Sequence, residues 1–352
     1  MAEPAILVIK LGALGDFVQA LGPLAAIRAH HRQARLVLLT TAPFVAFARA
    51  SPYVDDVWVD DRPKLLDVRG WLLLRRRLRG ARFTRVYDLQ TSDRSGFYFR
   101  LFWPGPYPEW SGVARGCSHP HANPQRDFMH NVDSRTEQLR MAGIAHCPPP
   151  DLSWTTRDVS HLGLAPRYAM LVPGGAPHRP AKRWPVERYA ALATCLAARE
   201  VQPVLIGAAA EDTLHDVIRT RCVEAVSLAG KTTLMDLAAL ARGALVAIGN
   251  DTGPMHLAAA AGCPSVVLYS HESDPALCGQ RGPGVIYIRR PALRDVEVSE
   301  VLDGIAALVG TAAGTGFRAA GSCADAALNG ISNSPLDYIP SRSNLRGSRD
   351  SI

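Results

Sequence analysis

The sequence predicts an α/β protein made of two doubly wound, Rossmann-like parallel sheets that face each other across a cleft. The chain of 352 residues is longer than one hydrophobic core usually supports, so we expect two domains. Short apolar runs, typical of buried parallel strands, alternate with helical patterns in both halves. A strand, a loop of small residues and a helix occur in this order at 5–27 and again at 244–262. Because such sheets bind ligands at the carboxyl ends of their strands, the cleft is the expected site.

The N-terminal domain is expected to span residues 1–150. Its apolar runs predict four strands, at Ala5–Ile9, Arg35–Thr40, Val57–Val59 and Arg85–Leu89. We expect helices between these strands, and a further helix at 132–142 that closes the domain. Residues 103–131 have no regular period and are rich in proline, which indicates binding loops.

The second half of the chain repeats the same rhythm after a linker at 151–166. We expect a C-terminal domain at 167–310, with strands at Tyr168–Val172, Pro203–Gly207, Val226–Leu228, Ala244–Ile248 and Ser265–Tyr269. The helical patterns of this half lie at about 185–199, from Asp212 onward, at 234–242 and at 299–309. Residues 311–352 contain few large apolar side chains, so we expect this tail to be disordered.

Composition narrows the class of ligand. Lys and Arg outnumber Asp and Glu by 39 to 32, which favours anionic ligands such as phosphates or lipid headgroups. We expect no nucleic acid partner, because the chain lacks an RNA-binding aromatic motif and a zinc finger. Seven cysteines without a C-x-x-C pair indicate a reducing compartment and no metal. The N-terminus lacks the basic and apolar regions of a signal peptide, so we expect a cytoplasmic protein.

Residues 62–82 form a basic amphipathic segment. Arginines recur through it beside leucines and a tryptophan. A helix of this kind can lie on an anionic membrane surface, which would place the protein at the periphery of the inner membrane. The alternative is a solvated helix face over the sheet.

The turn at 249–262 is the expected anion site. It joins an apolar strand to an alanine-rich helix, and backbone N–H groups at a helix start point in one direction. The expected donors are the N–H groups of Thr252, Gly253, Met255 and His256. No cofactor is expected: the N-terminal loop contains Gly12 and Gly15 but does not fit G-x-G-x-x-G, which disfavours nicotinamide chemistry.

Three motifs occur in order along the chain. They are Ile-Lys-Leu-Gly-Ala-Leu-Gly-Asp at 9–16, Val-Pro-Gly-Gly at 172–175 with Lys-Arg-Trp-Pro at 182–185, and Asn-Asp-Thr-Gly-Pro-Met-His at 250–256. Together they resemble the signatures of glycosyltransferase family 9, known best for ADP-heptose:lipopolysaccharide heptosyltransferases, and the resemblance spans about 5–309. It implies GT-B architecture, an N-terminal acceptor domain, a C-terminal nucleotide-sugar donor domain and metal-independent inverting transfer.

The resemblance assigns roles to individual residues. Asp16 falls on the catalytic aspartate, and an inverting transfer needs such a base to take the proton of the acceptor hydroxyl. In the alternative interpretation, Asp16 and Gln19 form a capping box, and the helix end lowers the pKa of Asp16. Gly12 and Gly15 belong to the same motif and are expected to contact substrate.

The donor residues are assigned in the same way. Lys182 falls on the phosphate-contacting lysine and is counted with Asp16 as catalytic, although Arg179 and Arg183 compete for this role and a solvated loop lysine is the alternative. Asp251 falls on the donor-sugar aspartate, and a plain helix cap is its alternative. The remaining expected substrate contacts are Gly174, Arg183 and Glu211, the last as a ribose ligand. We expect Trp184 in the core and the His256 side chain to pack the loop.

The expected reaction is transfer of a heptose from ADP-heptose to a lipid-linked saccharide of the lipopolysaccharide core, or to a related acceptor. Residues 103–131 are expected to select the acceptor hydroxyl. Two alternatives stay open. One is a family member that uses another nucleotide sugar or a protein acceptor, and the other is a nucleotide-sugar-binding protein without turnover.

Overall fold

The structure, a computed structural model, describes residues 4–310. The predicted disorder of 311–352 lies outside the described residues. The strands of the N-terminal domain are β1 (Ala5–Ile9), β2 (Arg35–Thr40), β3 (Asp56–Val59), β4 (Arg85–Asp88), β5 (Glu109–Gly112) and β6 (His119–Pro120). Its helices are α1 (Leu14–Gln19), α2 (Leu21–His30), α3 (Val45–Ala50), α4 (Val68–Gly80), α5 (Asp93–Arg100) and α6 (Asn131–Met141).

The C-terminal domain repeats this alternation. Its strands are β7 (Tyr168–Val172), β8 (Gln202–Leu205), β9 (Val226–Ser227), β10 (Val246–Asn250), β11 (Ser265–Tyr269) and β12 (Val285–Arg289). Its helices are α7 (Val186–Ala197), α8 (Asp212–Arg221), α9 (Leu234–Gly243), α10 (Gly253–Ala260), α11 (Pro275–Cys278) and α12 (Val298–Val309).

Both sheets have the same topology. The first has six strands in the order β3-β2-β1-β4-β5-β6, and the second has six in the order β12-β11-β10-β7-β8-β9. Every pairing between neighbouring strands is parallel. Each sheet therefore reverses its order once, between β1 and β4 and between β7 and β10, and ligands of doubly wound sheets bind at these reversals. The predicted fold class is confirmed.

Three strands differ from the sequence prediction. β5 and β6 lie in the stretch expected to be irregular, and β12 was not expected at all. β5 and β6 are short, and β5 has one large apolar side chain, the fully buried Trp110, so no apolar run marks them. The helix expected within 62–82 is shorter than that segment, because it begins only after Asp67, whose carboxylate accepts from the Gly70 N–H at 2.9 Å.

The two domains share a core. One cluster of buried side chains runs from the inner layer of the first sheet to that of the second, while the outer layers form separate clusters. α1 and α10 pack against each other at this junction. Glycines permit their close approach: a Cβ at Gly15 would lie 2.6 Å from the His256 ring, and one at Gly253 would lie 2.6 Å from Leu14. The contact holds the loop after β1 against the turn after β10.

Candidate active site

The site lies where each sheet reverses its strand order. Lys10 follows β1 and Asp88 ends β4, so both lie at the carboxyl edge of the first sheet. At the matching edge of the second sheet, the Asn250 side chain accepts from the backbone N–H of Trp184 at 3.0 Å and donates to the Gly174 carbonyl at 3.0 Å. The buried Asn250 thus joins the second and third sequence motifs into one surface.

Asp16 occupies the N-terminal wall. Its Oδ1 accepts from Arg135 Nη2 at 3.2 Å and from Asn131 Nδ2 at 3.5 Å, both on α6. Its side chain keeps 37% exposure, and Oδ2 makes no hydrogen bond to any described residue. The structure does not support the capping alternative, because Ala13 is the N-cap of α1 and has no side-chain cap bond. The amide of Gln19 instead donates to the Gly279 carbonyl of the opposite domain at 3.3 Å.

Two buried cations set the electrostatics of Asp16. Burial alone would raise the pKa of Asp16, but the charges of Lys10 and Arg135 outweigh it and hold that pKa below its usual value. Lys10 is 1% exposed, and burial, helped by repulsion from Arg135, lowers its pKa from 10.5 to about 7. The lowered pKa expected for Asp16 is thus present. Its cause is these side chains rather than the helix end that the sequence suggested.

Asp88 lies beneath this wall. Its carboxyl group is fully buried, and burial raises its pKa to about 6. The N–H groups of Gln90 and Thr91 donate hydrogen bonds to its Oδ1, which lower the pKa but do not offset the effect of burial. The Asp88 Oδ2 has no hydrogen-bond partner among the described residues. Lys10 and Asp88 are therefore buried side chains of opposite charge at this sheet edge, and the charge of each shifts the pKa of the other.

Asp251 and Lys182 form the core of the C-terminal wall. Lys182 Nζ donates to Asp251 Oδ2 at 2.7 Å, and the two side chains are 13% and 8% exposed. Tyr269 and Gln280 each donate to Asp251 Oδ1 at 3.1 Å. Burial alone would raise the pKa of Asp251, but the neighbouring His256 and Lys182 side chains hold it well below its ordinary value. Lys182 is therefore not the solvated loop lysine of the alternative interpretation.

The His256 ring links the two walls. Its Nε2 lies 3.8 Å from Asp251 Oδ1, and the same ring touches the backbone of Gly15, the residue before Asp16. His256 does pack the loop, as its sequence suggested, and it does so inside the cleft. Gly15 therefore has a packing role in this structure, as does Gly12, whose φ of +132° favours glycine and whose Cα faces the Phe44 ring.

The helix start after β10 offers fewer free donors than the sequence predicted. Thr252 is the N-cap of α10, and its carbonyl already accepts from the N–H groups of Met255 at 3.2 Å and His256 at 3.4 Å. No backbone partner is present in the described region for the N–H groups of Thr252 and Gly253. The anion site therefore consists of the N–H groups of Thr252 and Gly253 and the adjacent Lys182. The side chain of Met255 is fully buried.

Glu211 closes the other side of the C-terminal wall. Its carboxylate accepts from the N–H groups of Gly175 at 2.9 Å and Ala208 at 2.8 Å. A Cβ at Gly174 would lie 1.9 Å from Glu211 Oε1, so a glycine is required there. Glu211 thus fixes the loops after β7 and β8 relative to each other, and its oxygens keep lone pairs for a ligand.

The arginines that competed with Lys182 take different positions. Arg183 donates to the Gly175 carbonyl at 2.5 Å, so it holds the loop after β7 rather than reaching Asp251. Arg179 is exposed. Trp184 is 2% exposed and donates to the Val296 carbonyl, which places it in the core as expected.

Sequence reasoning missed the groups that position the two aspartates. Lys10 stands in the first motif directly after an apolar strand, and nothing in the sequence marks its side chain as buried. Arg135 and Asn131 lie on α6, Tyr269 ends β11 and Gln280 follows it, all far along the chain from the residues they contact. Their spacing carries no local signal.

The described residues contain no group of three or more His, Cys, Asp or Glu side chains placed to hold a metal ion. Six cysteines in this part of the chain are free thiols. Among residues 4–310, no helix is both long and apolar enough to cross a bilayer.

Two Rossmann-like domains that meet at the carboxyl edges of their sheets, with ionised groups on both walls, define a protein of the GT-B class. Residues 71–283, more than half of the chain, match the family described as glycosyltransferase family 9 (heptosyltransferase). The chain belongs to glycosyltransferase family 9.

Individual relatives agree with this family. A lipooligosaccharide heptosyltransferase 2 of Haemophilus influenzae is 38% identical over 104 residues, which cover 28% of this chain and 30% of that protein. The chain thus aligns with less than a third of the length of this relative. A family 9 glycosyl transferase from Veillonella parvula has a similar structure, with a TM-score of 0.76 and 20% identity over 88% of this chain and 98% of that one. The structure of E. coli heptosyltransferase WaaC with ADP-2-deoxy-2-fluoro heptose is also similar. It has a TM-score of 0.69 and 20% sequence identity, and the match covers 86% of this chain and 98% of that one. Both likenesses concern the fold.

Proposed function

We propose that this protein is an inverting glycosyltransferase that moves a heptose from ADP-heptose to a lipid-linked saccharide of the lipopolysaccharide core type. One observation carries the proposal. A partly exposed carboxylate with a free oxygen, Asp16, lies on one wall of the cleft, and the buried Lys182–Asp251 pair lies beside a helix start on the other. We propose that the domain at residues 1–150 binds the acceptor and that the domain at 167–310 binds the nucleotide-sugar donor.

The chemistry follows from the two walls. The acceptor hydroxyl oxygen attacks the anomeric carbon, and Oδ2 of Asp16 takes its proton. The bond from the anomeric carbon to the phosphate oxygen breaks on the opposite face, and ADP leaves with the electron pair. Lys182 and the N–H groups of Thr252 and Gly253 stabilise the diphosphate charge, while Asp251 accepts from donor-sugar hydroxyls.

The lowered pKa of Asp16 suits this role once the donor is bound. At neutral pH the carboxylate is ionised and ready to accept a proton. A diphosphate brings negative charge into the cleft, which raises the pKa of a nearby carboxyl and makes it a stronger base. The buried cations therefore hold Asp16 ionised in the free protein, and donor binding increases its basicity.

The donor and acceptor classes are supported by the relatives. The relatives are heptosyltransferases, and one similar structure, E. coli heptosyltransferase WaaC, is bound to ADP-2-deoxy-2-fluoro heptose. We propose that the acceptor is presented at the cytoplasmic face of the inner membrane, and that residues 103–131 select its hydroxyl. Lys182 and the helix start supply positive charge to the leaving group, so transfer should not require a divalent ion.

The experiment is a transfer assay with ADP-heptose and lipopolysaccharide core acceptors, with and without EDTA. We expect ADP release coupled to product, full activity in EDTA and inversion at the anomeric carbon by NMR. Turnover with a different nucleotide sugar would correct the donor. Binding of ADP-heptose without turnover on any lipid or protein acceptor would overturn the enzyme assignment.

A further inference from the structure

We propose that α4 and the turn before it form a docking surface for an anionic lipid bilayer. This surface, the α4 patch, is defined by five aliphatic side chains that project into solvent. Their exposed fractions are 89% for Leu65, 90% for Leu66, 66% for Val68, and 57% each for Leu72 and Leu73. Isolated exposed aliphatic residues are common, but five within nine consecutive positions mark an interaction surface.

The fold does not account for these leucines. α4 buries only Leu74 and Leu78 fully against the first sheet. On the opposite side of the helix, positions i, i+3, i+4 and i+7 are Arg69, Leu72, Leu73 and Arg76, which share one face. Two leucines between two arginines on a solvent face are typical of a helix that lies in a membrane interface.

The charge of the patch favours anionic lipid over other partners. Residues 61–82 contain eight basic side chains against two acidic ones. Five of the basic side chains are exposed and make no hydrogen bond or ion pair to any described residue: Arg62, Lys64, Arg69, Arg76 and Arg82. A second copy of the chain would present the same positive surface and be repelled, whereas anionic headgroups attract it.

The other arginines of α4 make the patch rigid. Arg75 donates to the carbonyls of Leu101 and Trp103, and Arg79 donates to the carbonyls of Phe102, Trp103 and Gly105. The guanidinium of Arg77 stacks over the Trp58 ring at 4.1 Å. These contacts hold the 68% exposed Trp103 beside α4, and tryptophan is a preferred residue at bilayer surfaces.

An apolar groove adjoins the patch. It has a volume of about 420 Å³ and is lined by Leu65, Trp71, Phe97 and Leu101 together with Asp93 and Arg94. The patch follows β3, so its first turn lies at the same carboxyl edge of the first sheet as Lys10. Docking there places the bilayer on the acceptor domain, as a lipid-linked acceptor requires; to that extent the inference rests on the proposed function.

The test is co-sedimentation of the full chain with vesicles of phosphatidylcholine, with and without phosphatidylglycerol. Two double variants probe the patch, Leu72→Ser with Leu73→Ser, and Arg69→Gln with Arg76→Gln. Matched controls on the C-terminal domain are Val217→Ser with Val223→Ser, which are also exposed, and Arg167→Gln with Arg221→Gln. None of these residues lies in the cleft site.

We expect wild-type protein to bind the anionic vesicles, and each patch variant to lose roughly tenfold in partition coefficient. Added salt should weaken wild-type binding, and both controls should bind as wild type does. Equal binding by patch variants and controls would overturn the proposal, as would binding to neutral vesicles alone. Self-association of wild type that the patch variants lose would show that the patch contacts another copy instead.

A second assay separates this inference from the proposed function. Transfer to a delipidated, water-soluble acceptor should be the same in wild type and patch variants, whereas transfer to acceptor in vesicles should fall in the variants. If vesicle binding falls as expected while wild type transfers to neither acceptor, the docking surface stands and the proposed function fails.

Discussion

The aspartates on the two walls of the cleft differ in exposure and in the number of side chains that contact them. Asp16 on the N-terminal wall is 37% exposed and has one oxygen without a hydrogen bond to residues 4–310. Asp251 on the C-terminal wall is 8% exposed and has four side chains around it. Both have a lowered pKa: Lys10 and Arg135 lower that of Asp16, and His256 and Lys182 lower that of Asp251. The Asp16 carboxylate has an oxygen left to accept a proton, whereas the Asp251 carboxylate accepts hydrogen bonds at both oxygens and is suited to positioning a ligand.

The walls also differ in how they use cations. Lys10 is enclosed beneath Asp16 and cannot reach a ligand without uncovering the sheet edge. Lys182 lies on a loop and needs only to exchange Asp251 for a phosphate oxygen. We therefore propose that Lys10 sets the pKa of Asp16, whereas Lys182 binds the diphosphate of the donor.

The largest effect is expected from Asp16→Asn. The amide keeps the shape of the side chain but cannot take a proton, so we expect kcat to fall by about a thousandfold or more. The affinity for ADP-heptose should change by less than about threefold, because Asp16 does not lie on the donor wall. Steady-state kinetics and calorimetry measure the two quantities, and a kcat within tenfold of wild type would remove Asp16 from the chemistry.

We expect Lys182→Met to lower the rate of transfer by about a hundredfold, because the leaving diphosphate loses the cation that stabilises its charge. It also leaves Asp251 as an unpaired buried carboxylate, at a cost of about 3 kcal/mol in the free energy of unfolding. The pair stabilises the fold above the ordinary aspartate pKa of about 4, and this contribution is lost as pH falls through the lowered folded pKa.

The double variant Lys182→Met with Asp251→Asn separates the two effects. In this double variant, the free energy of unfolding measured in urea should return most of the way to the wild-type value, whereas the rate of transfer should stay as low as in Lys182→Met. Recovery of both would mean that Lys182 acts only by pairing with Asp251.

Lys10→Met should change the pH dependence of transfer. Lys10, Arg135 and His256 are the cations whose charge lowers the pKa of Asp16. Without the Lys10 charge that pKa rises, so the acid limb of kcat/KM should move to higher pH by about one unit, equal to 1.36 kcal/mol. Lys10→Arg, which keeps the charge, is the control. Parallel loss of activity at every pH would indicate a structural role instead.

The smallest effect concerns the contact between the domains. Gly253→Ala places a methyl group 2.6 Å from Leu14, so we expect a loss of roughly 1–2 kcal/mol in unfolding free energy. Leu14→Gly should offset part of this loss in the double variant, because it removes the Leu14 Cβ at 2.6 Å and the Cγ and Cδ2 at 2.9 Å that the added methyl group would meet. Thermal unfolding measures both, and strictly additive losses would argue against this contact.

The sequence predicts the fold well, for reasons that lie in particular residues. Apolar runs such as Tyr168–Val172 and Ser265–Tyr269 are buried on both faces, and their boundaries match the strands they predict. β5 has too few apolar residues to be predicted in this way, whereas β12 reads Val-Ile-Tyr-Ile-Arg, an apolar run that does mark a strand and that the sequence prediction overlooked.

The site is less accessible to sequence reasoning. Motifs placed Asp16, Lys182 and Asp251 in the cleft because each follows a strand at a point of sheet reversal. Whether a backbone N–H is free depends on local helix geometry. Two of the four N–H groups predicted to bind the anion donate hydrogen bonds to the carbonyl of Thr252 instead. The partners of the aspartates come from distant segments, so only the folded chain brings Arg135 to Asp16 or Gln280 to Asp251.

The central claim is that the N-terminal wall performs the proton chemistry while the C-terminal wall holds the donor. The most direct measurement compares Asp16→Asn and Lys182→Met for ADP-heptose affinity by calorimetry and for transfer in a single turnover with saturating donor. The account predicts that Asp16→Asn binds donor like wild type but does not transfer it, and that Lys182→Met binds donor at least tenfold more weakly. Weakened donor binding by Asp16→Asn, with normal transfer from the donor it does bind, would contradict the account.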